Sequence, residues 1–291
     1  GAGNYYKEAK GTPWFKDGKR FDRPTGAYST DLISDFVADF ITSSGEDEKP
    51  FFIYVSHYAT HWPLQADEAD VAPYRKIYEN TPREELMQAR LDRQIETGLI
   101  PSGTRLHPEA LNAKPGAKGY LETERMALHA AMVGSIDRSL AKTIAALKAA
   151  DKLDNTLILV LSDNGASHQM NLDRKVPPGV RPGSMETFLN QGPAIAALNN
   201  TPFRNYKQSN YEGGIASPLI AWWPGGIKEP GRIDRSLLHI ADIMATCLEL
   251  SGASYPKKFR NRMIIPLAGK SFVTALNGQQ AGDEEPRVLP F

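Results

Sequence analysis

Only one of the 291 residues is a cysteine, Cys247. That excludes an internal disulfide framework and any cysteine-rich zinc module. An excess of charge is also missing: 34 Lys+Arg balance 34 Asp+Glu. A nucleic-acid binder held by bulk charge carries a basic excess, so no nucleic-acid partner is expected. An acidic disordered tail is excluded for the same reason. Long apolar runs are absent too. The longest strongly apolar one, Leu157 to Leu161, is far short of the ~20 residues of a spanning helix, so no membrane span is expected. There are no internal repeats, no low-complexity tracts and no signal-peptide pattern. The first residue is Gly1 rather than Met, which points to upstream residues removed by processing or truncation. What is present is an ordinary globular balance, 41% hydrophobic and 23% charged. That suffices for one large domain or two small ones.

Helical and strand-like patterns alternate. Leu32, Ile33, Phe36, Val37, Phe40 and Ile41 form two interleaved i, i+4 rows, which predicts a helix over 28–41 with Ser29 or Thr30 as its N-cap. Ser43–Asp47 reads as a loop. Pro50–Ser56 is an almost continuous β-rich apolar run and predicts a strand buried on both faces. Residues 65–120 are polar, with one amphipathic helix expected over 84–96. A long helix is predicted from near Glu122 to Asp151, its buried stripe formed by Met132, Val133, Ile136, Leu140, Ile144 and Leu147. Leu157–Leu161 then reads as a second buried strand, and helix followed by strand is half of an α/β crossover. The segment 166–206 is rich in Pro and Gly, has no clear period, and is too long for an idle connection. A third strand is expected at 218–223 and a short helix at 240–250, with Cys247 on its apolar face. The fold class is α/β, with a mostly parallel sheet covered by helices.

Three segments carry residues suited to chemistry. The strand 157–161 runs into Ser162-Asp163-Asn164-Gly165, and ligands of open α/β sheets collect beyond strand carboxyl ends. Asp163 and Asn164 supply two hard oxygen donors suited to Ca²⁺ or Mg²⁺, and Gly165 lets the chain turn sharply. The same residues also make an ordinary turn. The strand 51–56 runs into His57-Tyr58-Ala59-Thr60-His61-Trp62-Pro63. A histidine at a strand end is a proton donor or an anion ligand. His57 reads as a packed residue, and His129 and His239 as structural. Lys207 precedes Tyr211-Glu212-Gly213-Gly214. It is suited to hold an anion as a point charge, or is an ordinary surface lysine, and the paired glycines suggest a close backbone approach.

In their order and spacing these segments resemble the sulfatase family of the alkaline-phosphatase superfamily, in its bacterial arylsulfatase-like branch. The resemblance rests on Gly1-Ala2-Gly3-Asn4-Tyr5-Tyr6, Pro50–Leu64, the 131–138 stretch before Ser162-Asp163-Asn164-Gly165, and Asn200-Thr201-Pro202-Phe203-Arg204 followed by Lys207. It implies an alkaline-phosphatase-like α/β fold, with helices on both faces of a largely parallel or mixed sheet, and a single partial catalytic domain over 1–291. The 65–120 insertion and the 166–206 loop belong to that domain. It implies hydrolysis of sulfate esters, with Asp163 and Asn164 as metal ligands, calcium as the usual cation and magnesium as an alternative. His61 is then the histidine near the leaving oxygen and Lys207 the lysine on the sulfate. Both count as catalytic and substrate-binding residues. The expected substrate is a sulfated small molecule or carbohydrate, and the expected location periplasmic or secreted.

The family's nucleophile is a formylglycine made from Cys/Ser-x-Pro-x-Arg, and no such motif occurs in these 291 residues. Ser254-Tyr255-Pro256-Lys257-Lys258 is the nearest approach, and it ends in Lys. The resemblance therefore implies an internal portion of a sulfatase, inactive on its own. The nucleophile segment is expected upstream, and a C-terminal subdomain beyond Pro290-Phe291. Two alternatives stay open: a related phosphoester or phosphonate hydrolase, and a non-catalytic sulfatase-like binding protein. Asn164, where the phosphoester relatives resemble Asp-His, favours the sulfatase.

Overall fold

A computed structural model describes residues 3–9, 11–44, 49–116, 120–170 and 175–279. Gly1-Ala2, Gly45–Asp47 and Pro290-Phe291, singled out above, lie outside the described residues. The chain divides into two compact units, one of residues 1–152 and 164–216, the other of 153–163 and 217–291.

The first unit opens with a hairpin of β1 (Trp14–Lys16) and β2 (Lys19–Phe21). Its two loop residues, Asp17 and Gly18, both have positive φ, the backbone that a two-residue hairpin turn demands. Helices follow: α1 (Ser29–Ser43), α2 (Glu68–Tyr78), α3 (Arg83–Glu96), α4 (Pro108–Leu111) and α5 (Tyr120–Ala149). The chain then forms β3 (Ile158–Leu161) in the second unit. It returns to the first for α6 (Pro193–Asn199) and α7 (Glu212–Ile215). The second unit continues with β4 (Leu219–Trp222), α8 (Ala241–Ser251), β5 (Lys258–Phe259), β6 (Arg262–Met263) and α9 (Val273–Leu276).

Helix α1 starts where its pattern predicts, but the N-cap is Tyr28, and Ser29 and Thr30 are its first helical residues. Tertiary anchoring sets that start. The Tyr28 ring stacks on Tyr5 at 5.4 Å and packs against Tyr6 at 5.1 Å. Its hydroxyl donates to the Gln65 carbonyl oxygen at 2.8 Å. α1 and α2 both pack on α5, and the core there gathers Tyr5, Tyr6, Tyr28, Leu64, Val71, Leu128 and Met132. Because α5 is covered from two sides, the single stripe predicted for it is incomplete. Met132 and Leu147 are buried, Ile136, Leu140 and Ile144 are half-buried, and Val133 is exposed. Glu124 and Arg125 are buried instead. Glu124 is tolerated because Arg75 of α2 donates to it from Nε at 2.6 Å and Nη2 at 2.8 Å.

The strand expected at 50–56 forms no ladder among the described residues. Its side chains alternate. Phe51, Ile53 and Val55 are half-buried, whereas Phe52 and Tyr54 are 69% and 79% exposed. That is the period-2 pattern of extended chain, here with one face against the apolar side of α1 and the other uncovered. Five helices of the described residues were not read from the sequence, the four-residue α4, α7 and α9 and the longer α2 and α6. α2 is polar and carries Pro73, and is fixed by buried Val71 and the Arg75–Glu124 pair. α6, inside the 166–206 segment, is buried on nearly every side with Ala194, Ile195, Ala196, Ala197 and Leu198. A helix buried all round has no polar face to reveal its period.

In the second unit β3 and β4 pair antiparallel, Ile158 opposite Trp222 and Leu161 opposite Leu219. The three ladders among the described residues are all antiparallel. Leu157, Leu159 and Ala221 pack against Phe272, Ala275 and Leu276, but Ile220 is 63% exposed. The strand expected to be buried at 157–161 is only half-buried, and its last residue, Leu161, is exposed. α8 also departs from its pattern, because Asp242 and Thr246 are buried while Met244 and Leu250 are exposed. Asp242 accepts from the His239 and Lys270 backbone N–H groups at 2.7 and 2.8 Å, which satisfies the buried carboxylate. Cys247 is half-buried and its thiol pKa is raised by burial.

Candidate functional site

Of the four residues that sequence pattern places in a site, His61, Asn164 and Lys207 belong to the first unit. Asp163 is the last residue of the β3 segment of the second unit and is exposed. Within the first unit, three loops are laced together around the other three.

The first loop carries His61. Its backbone carbonyl accepts from the Tyr5 hydroxyl at 2.8 Å, and its Nδ1 lies 3.2 Å from the Trp62 carbonyl oxygen. A carbonyl only accepts, so Nδ1 carries the proton and Nε2 the lone pair in the neutral ring. Trp62 packs on the His61 ring at 4.6 Å and donates from Nε1 to Gln169 Oε1 at 3.1 Å. This ties the His61 loop to the segment that follows Asn164. The other histidine of the pair, His57, packs as anticipated. Its Nε2 lies 3.0 Å from Ser139 Oγ, and burial lowers its pKa. His129 is fully structural. Its Nε2 lies 2.9 Å from Thr60 Oγ1, and burial, aided by the charge of Arg90, lowers its pKa to about 4. His239 Nδ1 accepts from the Ala241 N–H at the start of α8.

The second loop is Asn164-Gly165-Ala166. Asn164 donates from Nδ2 to the Gly165 carbonyl oxygen at 3.1 Å. Gly165 does not have a positive φ, so the sharp turn expected of it is not why glycine stands there. Close approach is the reason. A Cβ would fall 2.8 Å from the Gly213 carbonyl carbon and 3.2 Å from Gly214 Cα, and nearer still to the Gly213 oxygen. The Gly165 N–H donates to the Gly214 carbonyl at 3.0 Å. Gly213 and Gly214 make the close approach anticipated for them, since a Cβ on either would overlap backbone oxygens of Arg204, Asn205, Tyr206 or Ser209.

The third loop carries Lys207, which is half-buried. Its N–H donates to the Ala166 carbonyl at 3.0 Å. Asn205 and Gln208 on either side have φ of 62° and 74°, a left-handed backbone uncommon for such residues. The Tyr206 ring stacks on His168 with centroids 4.4 Å apart. Among the described residues Lys207 makes no ion pair. Asn200 joins the second and third loops through its side chain, and no signal in the sequence singled that residue out for the role.

Among the described residues no group of three or more His, Cys, Asp or Glu side chains is placed to hold a metal ion. Asp163 and Asn164 are consecutive hard oxygen donors, the one exposed and the other with its amide N–H already engaged. Their chemistry fits Ca²⁺ or Mg²⁺ and not zinc. No helix of the described residues is long and apolar enough to cross a membrane.

The sulfatase family model matches residues 1–253. An uncharacterized sulfatase of Schizosaccharomyces pombe is 31% identical over 264 residues, covering 84% of this chain and 47% of that protein. An arylsulfatase of Klebsiella aerogenes is 27% identical over 279 residues, covering 91% and 59%. The chain therefore spans about half the length of these curated relatives. Among solved structures, Ps i-CgsB in complex with a neocarrahexaose superposes with a TM-score of 0.56 at 23% identity, covering 91% of this chain and 41% of the other. That likeness shows the alkaline-phosphatase-like α/β fold. With the family model matched over most of its length, the chain belongs to the sulfatase family.

Proposed function

We propose that the protein of which this chain forms part is a sulfuric ester hydrolase of the arylsulfatase kind. Its substrate is a sulfated small molecule or carbohydrate, and it is secreted or periplasmic. The observation that carries the reading is Lys207. It is a half-buried cation without an ion pair among the described residues, its backbone fastened to Ala166, two residues beyond Asn164. A cation whose backbone is fastened two residues beyond Asn164 is suited to hold a sulfuryl group.

Lys207 offsets the negative charge of the sulfuryl oxygens in ground and transition states. Asp163 and Asn164 contribute oxygen ligands to a calcium or magnesium ion, which when bound polarises the sulfuryl group. His61, protonated at Nε2, delivers a proton to the alcohol oxygen as the S–O bond breaks. The attacking group is a formylglycine hydrate supplied from outside these 291 residues, because no Cys/Ser-x-Pro-x-Arg occurs within them. The isolated chain accordingly hydrolyses no sulfate ester.

The test compares two leaving groups in the full-length enzyme. His61→Ala is expected to lower kcat/KM by about 10²-fold or more on an alkyl or sugar sulfate, and far less on an activated aryl sulfate, whose phenolate leaves without a proton. Lys207→Ala is expected to harm both substrates alike, since both carry the same sulfuryl group. Equal losses for His61→Ala on the two substrates refute its leaving-group role. Absence of any sulfatase activity in the full-length parent refutes the whole reading.

A further inference from the structure

The metal-ligand segment and the sulfate lysine must be held in register for the proposed chemistry. They lie more than forty positions apart in sequence. The side chain of Asn200, just past the end of α6, bonds to Ala166 beside the first and to Asn205 and Gly213 on the loop that carries the second. Its Oδ1 accepts from the Ala166 N–H at 3.0 Å. Its Nδ2 donates to the Asn205 carbonyl at 3.0 Å and to the Gly213 carbonyl at 2.7 Å. We propose that Asn200 is a positioning residue of the sulfate site, a three-point clamp that fixes Asn164 and Lys207 relative to each other. This inference rests on the sulfatase reading of that site.

The chemistry of the clamp is specific to a carboxamide. Ala166 offers a donor, so an oxygen must face it. Asn205 and Gly213 offer two carbonyls, so an NH₂ with both hydrogens must face them. Those three bonds use both amide hydrogens, and only one orientation of the side chain satisfies them. A serine is too short to span three partners, and a carboxylate would set oxygen against two carbonyl oxygens. The two faces of the clamp also converge. Ala166, held by its N–H, receives the Lys207 N–H on its own carbonyl. Gly213, held by its carbonyl, donates its N–H to Arg204. The left-handed backbone at Asn205 and Gln208 is the kind of conformation that persists only when its surroundings over-determine it, and the Asn200 bond to the Asn205 carbonyl is one such constraint.

Asn200 reaches neither reactant, so it acts through Asn164 and Lys207. Outer partners of this kind typically cost 10–100-fold in metal affinity or activity when altered. The isosteric variant Asn200→Asp is therefore the informative one. In the full-length protein, two affinities are measured well below the melting temperature, that of Ca²⁺ by calorimetry and that of inorganic sulfate by competition. Both are expected to weaken by about tenfold or more in Asn200→Asp. Lys207→Ala is expected to weaken sulfate far more than Ca²⁺. A merely structural Asn200 would lower the melting temperature and leave both affinities of the folded protein unchanged, and that result overturns the proposal.

Should Asn200→Asp fail to fold, hydrogen exchange of the unmutated protein decides. The Ala166 N–H has the Asn200 side chain as its acceptor, so it should be protected, and should open together with the Lys207 N–H. An Ala166 amide that exchanges at the rate of an open loop overturns the clamp, whether or not the protein turns over sulfate esters. Conversely, a full-length parent with a protected Ala166 amide but no sulfatase activity overturns the functional reading and leaves the clamp standing.

Discussion

Replacing Gly165 by alanine adds one methyl group where two backbone segments already touch. The new Cβ would sit 2.8 Å from the Gly213 carbonyl carbon and 3.2 Å from Gly214 Cα, against the ~3.5–4.0 Å at which carbon atoms rest in contact. The obstacle is backbone, so no side-chain rotation relieves it. The Gly213 oxygen lies closer still, so the 164–166 and 213–214 segments must separate by more than about 1 Å to reach contact distance. Overpacking of this kind costs about 1–3 kcal/mol, and a 2 kcal/mol loss lowers the melting temperature of a unit this size by roughly 4–8 °C. The Gly165–Gly214 hydrogen bond and the Asn200 clamp both span the same gap, so Asn164 moves away from Lys207. A 1 Å misplacement at a reacting centre is able to cost about 10²-fold in rate. The assay is thermal unfolding by circular dichroism, together with kcat/KM on an aryl sulfate in the full-length enzyme. Gly134→Ala provides the contrast. It lies inside α5 with its nearest neighbour, the Tyr74 hydroxyl, at 3.5 Å, and should stabilise by about 0.5–1 kcal/mol through helix propensity alone. Gly165→Ala melting and turning over like the parent would refute the close-approach argument.

Three further outcomes follow from buried charge and titration. His129 stays neutral in the fold down to about pH 4, while in the unfolded chain it takes up a proton near 6.5. Between those values the unfolded state binds more protons, so stability falls as pH drops from about 6.5 to about 4, by roughly 3 kcal/mol at full effect. Urea titrations across that window should show a shallower pH dependence in His129→Gln than in the parent. Burial lowers the His57 pKa in the same direction, so His57→Gln should flatten the profile further. Removing one partner of the Arg75–Glu124 pair leaves a buried charge uncompensated. Arg75→Ala strands Glu124, whose side chain is 0% exposed, and should cost about 3–5 kcal/mol, whereas Glu124→Ala should cost less because Arg75 keeps Glu68. A double-mutant cycle with Arg75→Ala that gives no coupling would show that the pair contributes nothing.

Local rules were enough for much of this molecule. The apolar rows of α1, α3 and α5 and the β-rich runs at 157–161 and 218–223 each depend on spacing within one segment. His61, Asp163, Asn164 and Lys207 each had an ordinary structural alternative when read alone, and only their order along the chain, through the resemblance to sulfatases, grouped them as a candidate site. Tertiary structure decided what depends on partners distant in sequence. Whether 50–56 becomes a strand depends on a neighbour to pair with, and none stands beside it among the described residues. Whether α2 forms depends on Glu124, and α6, with no polar face, had no period to read. The start of α1 was set by the Tyr5 and Tyr6 rings and not by Ser29 or Thr30. Gly165 proved to be a matter of contact between chain segments, not of φ. Asn200 looked like any asparagine until two loops were seen to meet on its side chain, because a hydrogen-bonding hub is defined by what surrounds it and not by its neighbours along the chain.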